Sequence, residues 1–250
     1  MFELRDLHKR FGDNVIYDGM NLKIEQGETF TIIGGSGMGK SVCLKLMIGL
    51  LPYEGGHVLF KGQEVGDMNR EQLRELRRNV SMVFQGGAMF DSMSVLDNVT
   101  YALREHTKMS DQEMLERAKE CLDMVGLGYD PNILYRMPAS LSGGMRKRAA
   151  LARSIAIKPE VILYDEPTTG LDPANIERIG SMIQKLQKEL NVTSIVVTHD
   201  MPIALERSDR VAMLYDKKFP FVGTNEEFKD HPETVVREFI KGIYHENEDD

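Results

Sequence analysis

The chain has 250 residues, of which 39 are acidic and 31 are Lys or Arg, so its formal net charge is −8. This balance argues against a dedicated nucleic-acid binder, because contacts with phosphate backbones need a basic face. No stretch approaches the roughly 20 apolar residues that span a bilayer, and residues 1–6 lack the apolar run of a secretion signal. We therefore expect a protein of the cytoplasm that reaches any membrane through a partner.

Residues 2–24 are predicted to form an antiparallel hairpin, because polar and apolar residues alternate around a turn signal at Asp18-Gly19. The short apolar run at 30–33 is typical of a strand buried on both faces of a parallel sheet. Similar runs occur at 161–164 and 194–197. These patterns predict an α/β fold with a parallel core and an antiparallel region before it.

A glycine-rich segment follows the run at 30–33 and fits the pattern G-x-x-x-x-G-K-[ST]. It reads Gly34-Gly35-Ser36-Gly37-Met38-Gly39-Lys40-Ser41, and residues 42–51 have a helical pattern. Glycines let backbone N–H groups converge on phosphate oxygens, and the start of a helix adds favourable partial charge. Lys40 is predicted to reach the β- and γ-phosphates, and the Ser41 hydroxyl to bind Mg²⁺. The alternative is a turn that only links strand to helix, but the strand–loop–helix context favours the phosphate site.

The middle of the chain, about 91–158, is rich in charge and mostly helical in pattern, so we expect a helical insert in the α/β core. The core resumes with the run at 161–164, which ends in Asp165-Glu166. In P-loop proteins such an Asp helps to hold Mg²⁺, and Glu166 is placed to polarise an attacking water. After residue 225, apolar residues at helical spacing predict an amphipathic helix, and the charged tail at 246–250 is expected to fray.

The segment Leu141-Ser142-Gly143-Gly144-Met145 resembles the LSGGQ signature of ABC ATPases. Other motifs of that family follow in the right order: an adenine-stacking aromatic (Phe11), the Q-loop glutamine (Gln85), the D-loop (169–172) and the switch histidine (His199). The resemblance covers about residues 2–225. It implies a P-loop NTPase (RecA-like) core with an antiparallel β subdomain and a helical ABC subdomain. The expected division is a single ABC ATPase domain, 1–225, with its core at about 1–90 and 159–225 and the insert at 91–158, followed by a helix and acidic tail at 226–250.

The resemblance also implies roles for individual residues and the cofactors ATP and Mg²⁺. The expected catalytic residues are Lys40, Gln85, Glu166 and His199. The expected Mg²⁺ ligands are Ser41, Gln85 and Asp165. The expected nucleotide contacts are Phe11, Gly34, Gly35, Ser36, Gly37, Met38, Gly39, Lys40, Ser41, Val42, Ser142, Gly143, Gly144 and Asp172.

Two of these assignments, and the basic run at 146–148, have alternatives that the sequence leaves open. Tyr17 is a rival to Phe11 as the surface for adenine, and Phe11 itself could belong to the core. His199 by itself would more often be a surface or core histidine. The basic run at 146–148 would normally be a solvated face. Because cations are unfavourable near a helix start, a role in attracting nucleotide is the alternative.

Met145 replaces the usual Gln of the signature and points to a subfamily. The segment 141–152, together with residues 84–92, 103–106 and Gly35, resembles the ATPases of the Mla/Mce phospholipid transport systems. That resemblance implies an ATP-driven transporter of phospholipids between bacterial membranes. The chain would lie on the inner face of the inner membrane. It would act as a head-to-tail dimer with an integral membrane permease, a STAS-domain accessory protein and an MCE-domain lipid-binding protein.

Other functions compete with this one. Within transporters, the main alternative is an importer of amino acids or metal chelates. A DNA-repair ATPase would need a long heptad coiled coil, and none fits between Ser41 and Leu141, while a translation-associated ABC protein would carry two cassettes in one chain. Met89, Phe90 and Met93 either contact the permease or pack inside the helical region. The helix after residue 225 either packs on its own chain or docks on a partner.

Overall fold

The fold is taken from a computed structural model, of which residues 1–240 are described. These residues form two compact units, one made of residues 1–76 with the chain from Thr193 onward, and one made of Arg77–Val192. The units are defined by compactness, so the subdomain boundaries expected from the sequence stay a prediction. The expected amphipathic positions Ile243 and Tyr244, and the tail at 246–250, lie outside the described residues.

The strands and helices are numbered in chain order. The first part of the first unit contains β1 (Phe2–Phe11), β2 (Asn14–Ile24), β3 (Thr29–Ile33), α1 (Lys40–Met47), β4 (Gly55–Phe60), β5 (Gln63–Glu64) and α2 (Arg70–Asn79), within which the chain passes into the second unit. The second unit contains β6 (Val80–Val83), α3 (Val95–His106), α4 (Asp111–Met124), α5 (Gly143–Ala156), β7 (Val161–Asp165) and α6 (Pro173–Leu190). The return to the first unit adds β8 (Thr193–Thr198), α7 (Met201–Arg207), β9 (Arg210–Tyr215), β10 (Lys218–Thr224), α8 (Asn225–Lys229) and α9 (Thr234–Ile240).

The antiparallel sheet of the first unit has the strand order β2-β1-β4-β5. The predicted hairpin is present, but its turn was placed wrongly. Phe11 pairs with Asn14, so the chain reverses at Gly12 and residue 13, and the Asp18-Gly19 pair lies inside β2. Gly19 has a φ of +74° at a shift in strand register. An Asp-Gly pair suits any left-handed position, and here it serves a β-bulge instead of the turn.

The parallel core of the first unit is built on β3, which pairs in parallel with β8 on one side and β9 on the other. β10 pairs antiparallel with β9. Every residue of β3 and β8 is buried, as the continuous apolar runs predict. In the second unit, β6 and β7 form a parallel pair. The predicted α/β fold is therefore confirmed.

Helix α1 is shorter than the sequence pattern indicates. It begins at Lys40 and ends at Met47, whereas the pattern extends over 42–51. Gly49 has a φ of +61°, and Pro52 follows three residues later. A left-handed glycine with a proline a few residues later is a common way for a helix to stop, which a pattern of apolar spacing alone does not capture.

The helices of the second unit begin at side-chain caps. Ser94, Ser110 and Ser142 cap α3, α4 and α5, and Ser110 forms a reciprocal capping box with Glu113. The predicted helical character of this part of the chain is confirmed, with two short 3-10 turns, Ile133–Tyr135 and Pro138–Ser140, between α4 and α5.

The segment after residue 225 forms two short helices, α8 and α9, instead of the single predicted helix. The break falls around Pro232. Val236 and Phe239 are buried in a cluster with Phe221, Phe228 and other residues of the first unit, so the described part packs on its own chain. Within residues 1–240, no helix combines the length and the apolar character needed to cross a membrane.

Candidate functional site

The phosphate loop, Gly34 to Ser41, connects the end of β3 to the start of α1. A side chain at Gly34 would bring its Cβ within 2.6 Å of the Leu214 carbonyl oxygen. At Gly39, φ is +97° and a Cβ would lie 2.5 Å from Cγ2 of Ile16. Glycine is therefore required at both positions, by close approach of the neighbouring chain and, at Gly39, also by the backbone conformation.

Lys40 is folded back onto the phosphate loop. Its side chain is only 6% exposed, and its ammonium group donates to the carbonyl oxygens of Gly34 and Gly35, each at 2.8 Å. The cation is thus held by the segment that would surround a phosphate. Ser41, which carries the hydroxyl expected to bind Mg²⁺, is half-buried in the first turn of α1.

Two aromatic residues were rivals for the adenine surface, and their environments differ. Tyr17 is 1% exposed, and its hydroxyl donates to the Gly39 carbonyl oxygen, so it supports the phosphate loop from within. Phe11, at the end of β1, is 47% exposed. The Lys9 ammonium lies 4.7 Å from the centre of the Phe11 ring and also binds Glu54 at 2.9 Å. Phe11 is the ring that remains accessible to a base.

His199 follows β8 directly and is exposed. The last residues of β3 and β8, Ile33 and Thr198, are paired in the parallel ladder. The first residue of the phosphate loop and His199 therefore leave the same edge of the sheet side by side. This edge, at the carboxyl ends of parallel strands, is where α/β proteins bind ligands.

The second unit repeats this arrangement with β6 and β7, in which Val83 pairs with Tyr164. Gln85 lies two residues beyond Val83 and is exposed, whereas Asp165 ends β7 and is 7% exposed. Glu166 follows with a φ of +48°, a left-handed conformation that is uncommon for residues other than glycine. Strained positions of this kind cluster at active sites.

The three expected Mg²⁺ ligands offer a hydroxyl, an amide and a carboxylate oxygen. Ser41 belongs to the first unit, and Gln85 and Asp165 to the second. Oxygen donors with one carboxylate match the preference of Mg²⁺, which is bound through few protein ligands together with substrate phosphates. The donor set therefore fits the ion.

The signature segment, Leu141 to Met145, opens α5. Ser142 is exposed, and its hydroxyl accepts a hydrogen bond from the Met145 N–H at 3.3 Å. Gly143 is exposed, and a Cβ placed there would have no atom within 4 Å. Ser142 and Gly143 thus present an open surface with N–H groups at a helix start, which suits an anion.

The D-loop segment, Thr169 to Asp172, leads into α6, which Asp172 caps. The Asp172 carboxylate accepts from the Asn175 N–H at 3.0 Å, and hydrogen bonds from Asn175 lower the pKa of that carboxyl. A Cβ at Gly144 would lie 3.1 Å from Oδ1 of Asn175. Asn175 therefore lies between the signature segment and the cap of the D-loop helix.

The basic run at 146–148 is not the solvated face that its composition indicates. Each of the three side chains donates to backbone carbonyl oxygens. Lys147 reaches Pro167 at 2.9 Å and Thr169 at 2.6 Å, so it ties α5 to the segment after Glu166. Burial lowers the pKa of Lys147, while the charge of Glu166 acts to raise it. The one feature of the sequence that could have indicated these bonds is the position of three cations near a helix start, where cations are unfavourable.

The segment after Gln85 exposes an aromatic pair. Phe90 is 42% exposed, Tyr101 is 39% exposed, and their ring centres are 4.9 Å apart. Asn98 is fully buried and holds this segment by accepting from the Phe90 N–H and donating to the Phe90 and Met93 carbonyl oxygens. Met89 and Met93 are half-buried, and contact of this group with the permease stays a prediction.

Comparison with known proteins shows which family the chain belongs to. Residues 17–169 match the family described as ABC transporter. The intermembrane phospholipid transport system ATP-binding protein MlaF of Haemophilus influenzae is 40% identical over 242 residues, which is 97% of this chain and 90% of that protein. The probable ribonucleotide transport ATP-binding protein mkl of Mycobacterium leprae is 39% identical over 240 residues, 96% of this chain and 68% of that protein.

Solved structures agree. The dimeric post-hydrolysis structure of the ATP-binding cassette MJ0796 bound to ADP and Pi has a TM-score of 0.82 and 32% identity, covering 90% of this chain and 99% of that chain. The structure of cbiO1 from Clostridium perfringens has a TM-score of 0.83 and 28% identity, covering 95% and 93%. The predicted P-loop NTPase fold of the ABC type is confirmed. The chain belongs to the ABC transporter family, as a subunit that binds and hydrolyses ATP.

Proposed function

We propose that this chain powers phospholipid transport between bacterial membranes, as the ATPase of an Mla/Mce-type system. The observation that carries the proposal is the 40% identity, over nearly the whole chain, to a relative named for intermembrane phospholipid transport. Met145 in the signature supports the same subfamily. A second candidate is ribonucleotide transport, because a relative named for it is 39% identical.

The working unit is proposed to be a head-to-tail dimer with ATP at each of two composite sites. The chain has one phosphate loop and one signature segment. The signature segment is open, since the space around Gly143 is empty to 4 Å. A second copy could supply the γ-phosphate that such a surface suits, and the MJ0796 cassette is described as dimeric.

Each candidate residue has a role in this scheme. Lys40 neutralises charge on the β- and γ-phosphates, Glu166 polarises the attacking water, and His199 orients the γ-phosphate. Mg²⁺ would supply further charge neutralisation when held by Ser41, Gln85 and Asp165. Phe11 offers its exposed ring to adenine.

The signature and D-loop segments complete the partner's site. Ser142, Gly143 and Gly144 meet the γ-phosphate of the ATP that the second copy binds. Lys147 keeps the D-loop segment in place through its bonds to Pro167 and Thr169. Catalysis in this scheme is positioning plus electrostatic stabilisation.

The permease is proposed to contact the aromatic pair, Phe90 and Tyr101. The pair is exposed, close to Gln85 in sequence, and held by a buried asparagine. Large aromatic side chains on a fixed backbone are typical anchors of protein interfaces. A STAS-domain protein and an MCE-domain lipid-binding protein are the further partners proposed for the complex, which would place the chain on the inner face of the inner membrane.

The test is purification of the complex with its lipid. The tagged chain is isolated from native membranes, and its bound subunits and extracted lipids are identified by mass spectrometry, with an untagged strain as the control. The complex is then reconstituted, and ATP hydrolysis is measured with added phospholipid or with ribonucleoside monophosphates. We expect bound phospholipid and stimulation by phospholipid alone. Stimulation by ribonucleotides without lipid enrichment would favour the second candidate.

A further inference from the structure

A cleft of about 580 Å³ opens in the second unit, at the end of α4 and beside α5 and α6. None of the proposed ATP-site residues lines it. Its floor is apolar, with Met124, Val125 and Met182, and Tyr129 stands at its edge with 73% of its side chain exposed. The polar side chains that line it are Asp123, Arg148, Arg178, Ser181 and Lys185.

The charge of this cleft is opposite to that of the chain as a whole. Three cations, Arg148, Arg178 and Lys185, line it against one carboxylate, Asp123, in a chain with a net charge of −8. Among residues 1–240, no ion pair joins Asp123 to any of these cations. Arg178 makes no hydrogen bond or ion pair with any described residue, and Lys185 has only a 3.9 Å contact with Glu189.

Arg148 is the unusual member of this group because it is 93% shielded from solvent. Its guanidinium donates to the Gly126 and Gly144 carbonyl oxygens, at 2.7 and 3.4 Å. Within the described chain it has no carboxylate partner. Burial, and then the positive charge of Arg178, lower its pKa. A buried cation that is balanced only by neutral groups is unfavourable, and an anion beside it would relieve this cost.

We propose that this cleft is a binding site for a small phosphate-bearing molecule, held by Arg148, Arg178 and Lys185. Arginine is suited to the task, because its planar fork of N–H groups matches phosphate oxygens and gives strong, charge-assisted hydrogen bonds. The apolar floor and the exposed Tyr129 ring accept the rest of the molecule. The phosphate belongs either to a soluble compound or to a lipid headgroup, and the two sources share this chemistry.

Occupation of the cleft links the signature and D-loop segments. Arg148 lies on α5, which the signature segment opens, and Arg178 lies on α6, which Asp172 caps. An anion between the two arginines holds these helices together at a point one to two turns from their starts. An anion in the cleft would therefore bridge the helices that carry these two segments, and this inference is independent of which substrate the transporter carries.

A single fluorescent reporter tests the site. The chain has no tryptophan, so Tyr129→Trp in the full-length protein places the only tryptophan at the edge of the cleft. A Lys40→Ala background weakens phosphate binding at the phosphate loop. Inorganic phosphate is titrated at constant ionic strength, and vesicles of phosphatidylglycerol are compared with vesicles of phosphatidylcholine. A saturable change with free phosphate assigns a soluble ligand, and a change only with phosphatidylglycerol assigns a headgroup.

Matched variants on α6 show where the anion binds. Arg178→Gln or Lys185→Gln should lower the affinity for the probe about tenfold. Lys188→Gln, on the same helix but outside the cleft, should leave the affinity unchanged. Because Tyr129→Trp removes a hydroxyl next to Arg148, the thermal midpoint is also measured with Tyr129 intact. Phosphate should raise that midpoint in the parent and less in Arg178→Gln. The proposal is overturned if neither probe gives a saturable fluorescence change, or if Lys188→Gln lowers the affinity as much as Arg178→Gln does.

Discussion

Helices α1 and α5 begin at glycine-rich segments, and the two segments differ in how many contacts from the rest of the chain support them. In the phosphate loop, the Tyr17 hydroxyl donates to the Gly39 carbonyl oxygen, and the Leu214 backbone lies close to Gly34. The loop also holds the Lys40 cation on its own carbonyl oxygens. In the signature segment, Ser142 and Gly143 are exposed. Ser142 accepts one backbone N–H, and the space at Gly143 is empty.

The difference indicates that the two segments meet a phosphate in different ways. A loop with internal supports and its own cation can bind an anion without help. An exposed helix start that is open on one side offers a weaker surface, which gains from a ligand already bound elsewhere. We therefore propose that the phosphate loop binds ATP first and that the signature segment contacts the bound ATP afterwards.

The largest effect is expected from Glu166→Gln, which should reduce ATP hydrolysis by about 10²- to 10⁴-fold, because the carboxylate proposed to polarise water is lost. ATP binding should persist, so the phosphate loop of one copy and the signature segment of the other stay in contact with the same ATP. Dimers should therefore accumulate. Turnover assays and size-exclusion chromatography with Mg-ATP measure both. A variant that remains monomeric while saturated with ATP contradicts completion by a second copy.

Lys40→Ala and Ser142→Arg separate the two segments directly. Loss of the Lys40 cation should weaken ATP binding to the isolated chain by about 10- to 100-fold, the value of a hydrogen bond to a charged group. Ser142→Arg should leave that affinity unchanged and still abolish turnover, since the new side chain fills the open surface. Calorimetric titration at low protein concentration distinguishes them, and a matched loss of affinity in Ser142→Arg would remove the distinction.

A mixture of the two variants sharpens the comparison. Random pairing of Lys40→Ala with Ser142→Arg chains gives mixed dimers with one intact composite site, so roughly a quarter of normal activity should return. Each variant alone is the control. If both segments acted within one chain, every site in the mixture would carry a lesion. Crosslinking of cysteines placed at Ser36 and Ser142 then provides a second readout, since bonds formed only within one chain exclude the head-to-tail arrangement.

The smallest effect is expected from Tyr17→Phe, which removes the hydroxyl that supports the phosphate loop. The Gly39 carbonyl loses a buried partner, at a cost of about 1 kcal/mol in the free energy of unfolding and about fivefold in ATP affinity. Urea unfolding and nucleotide titration measure the two effects. Phe11→Tyr, which keeps an exposed ring, is the control and should change neither quantity.

The sequence was sufficient for the fold class and for the local position of each motif, because the glycine pattern and the buried runs are local signals. The turn at Gly12 and the end of α1 were missed, since left-handed positions can serve turns, bulges or helix ends alike. The partners of Lys147 and Asn98 are backbone carbonyls, and carbonyl oxygens leave no trace in a side-chain pattern. Such contacts become visible only when the chain is folded.

The left-handed backbone at Glu166 implies that thermal stability and the rate of ATP hydrolysis favour different residues at this position. A left-handed conformation costs a side-chain-bearing residue about 1 to 2 kcal/mol, which glycine would avoid. A chain selected only for resistance to heat would therefore tend to lose its carboxylate at this position. Stabilised homologues of this subunit that lack an acidic residue after β7 are thus expected to be poor ATPases, however well they fold.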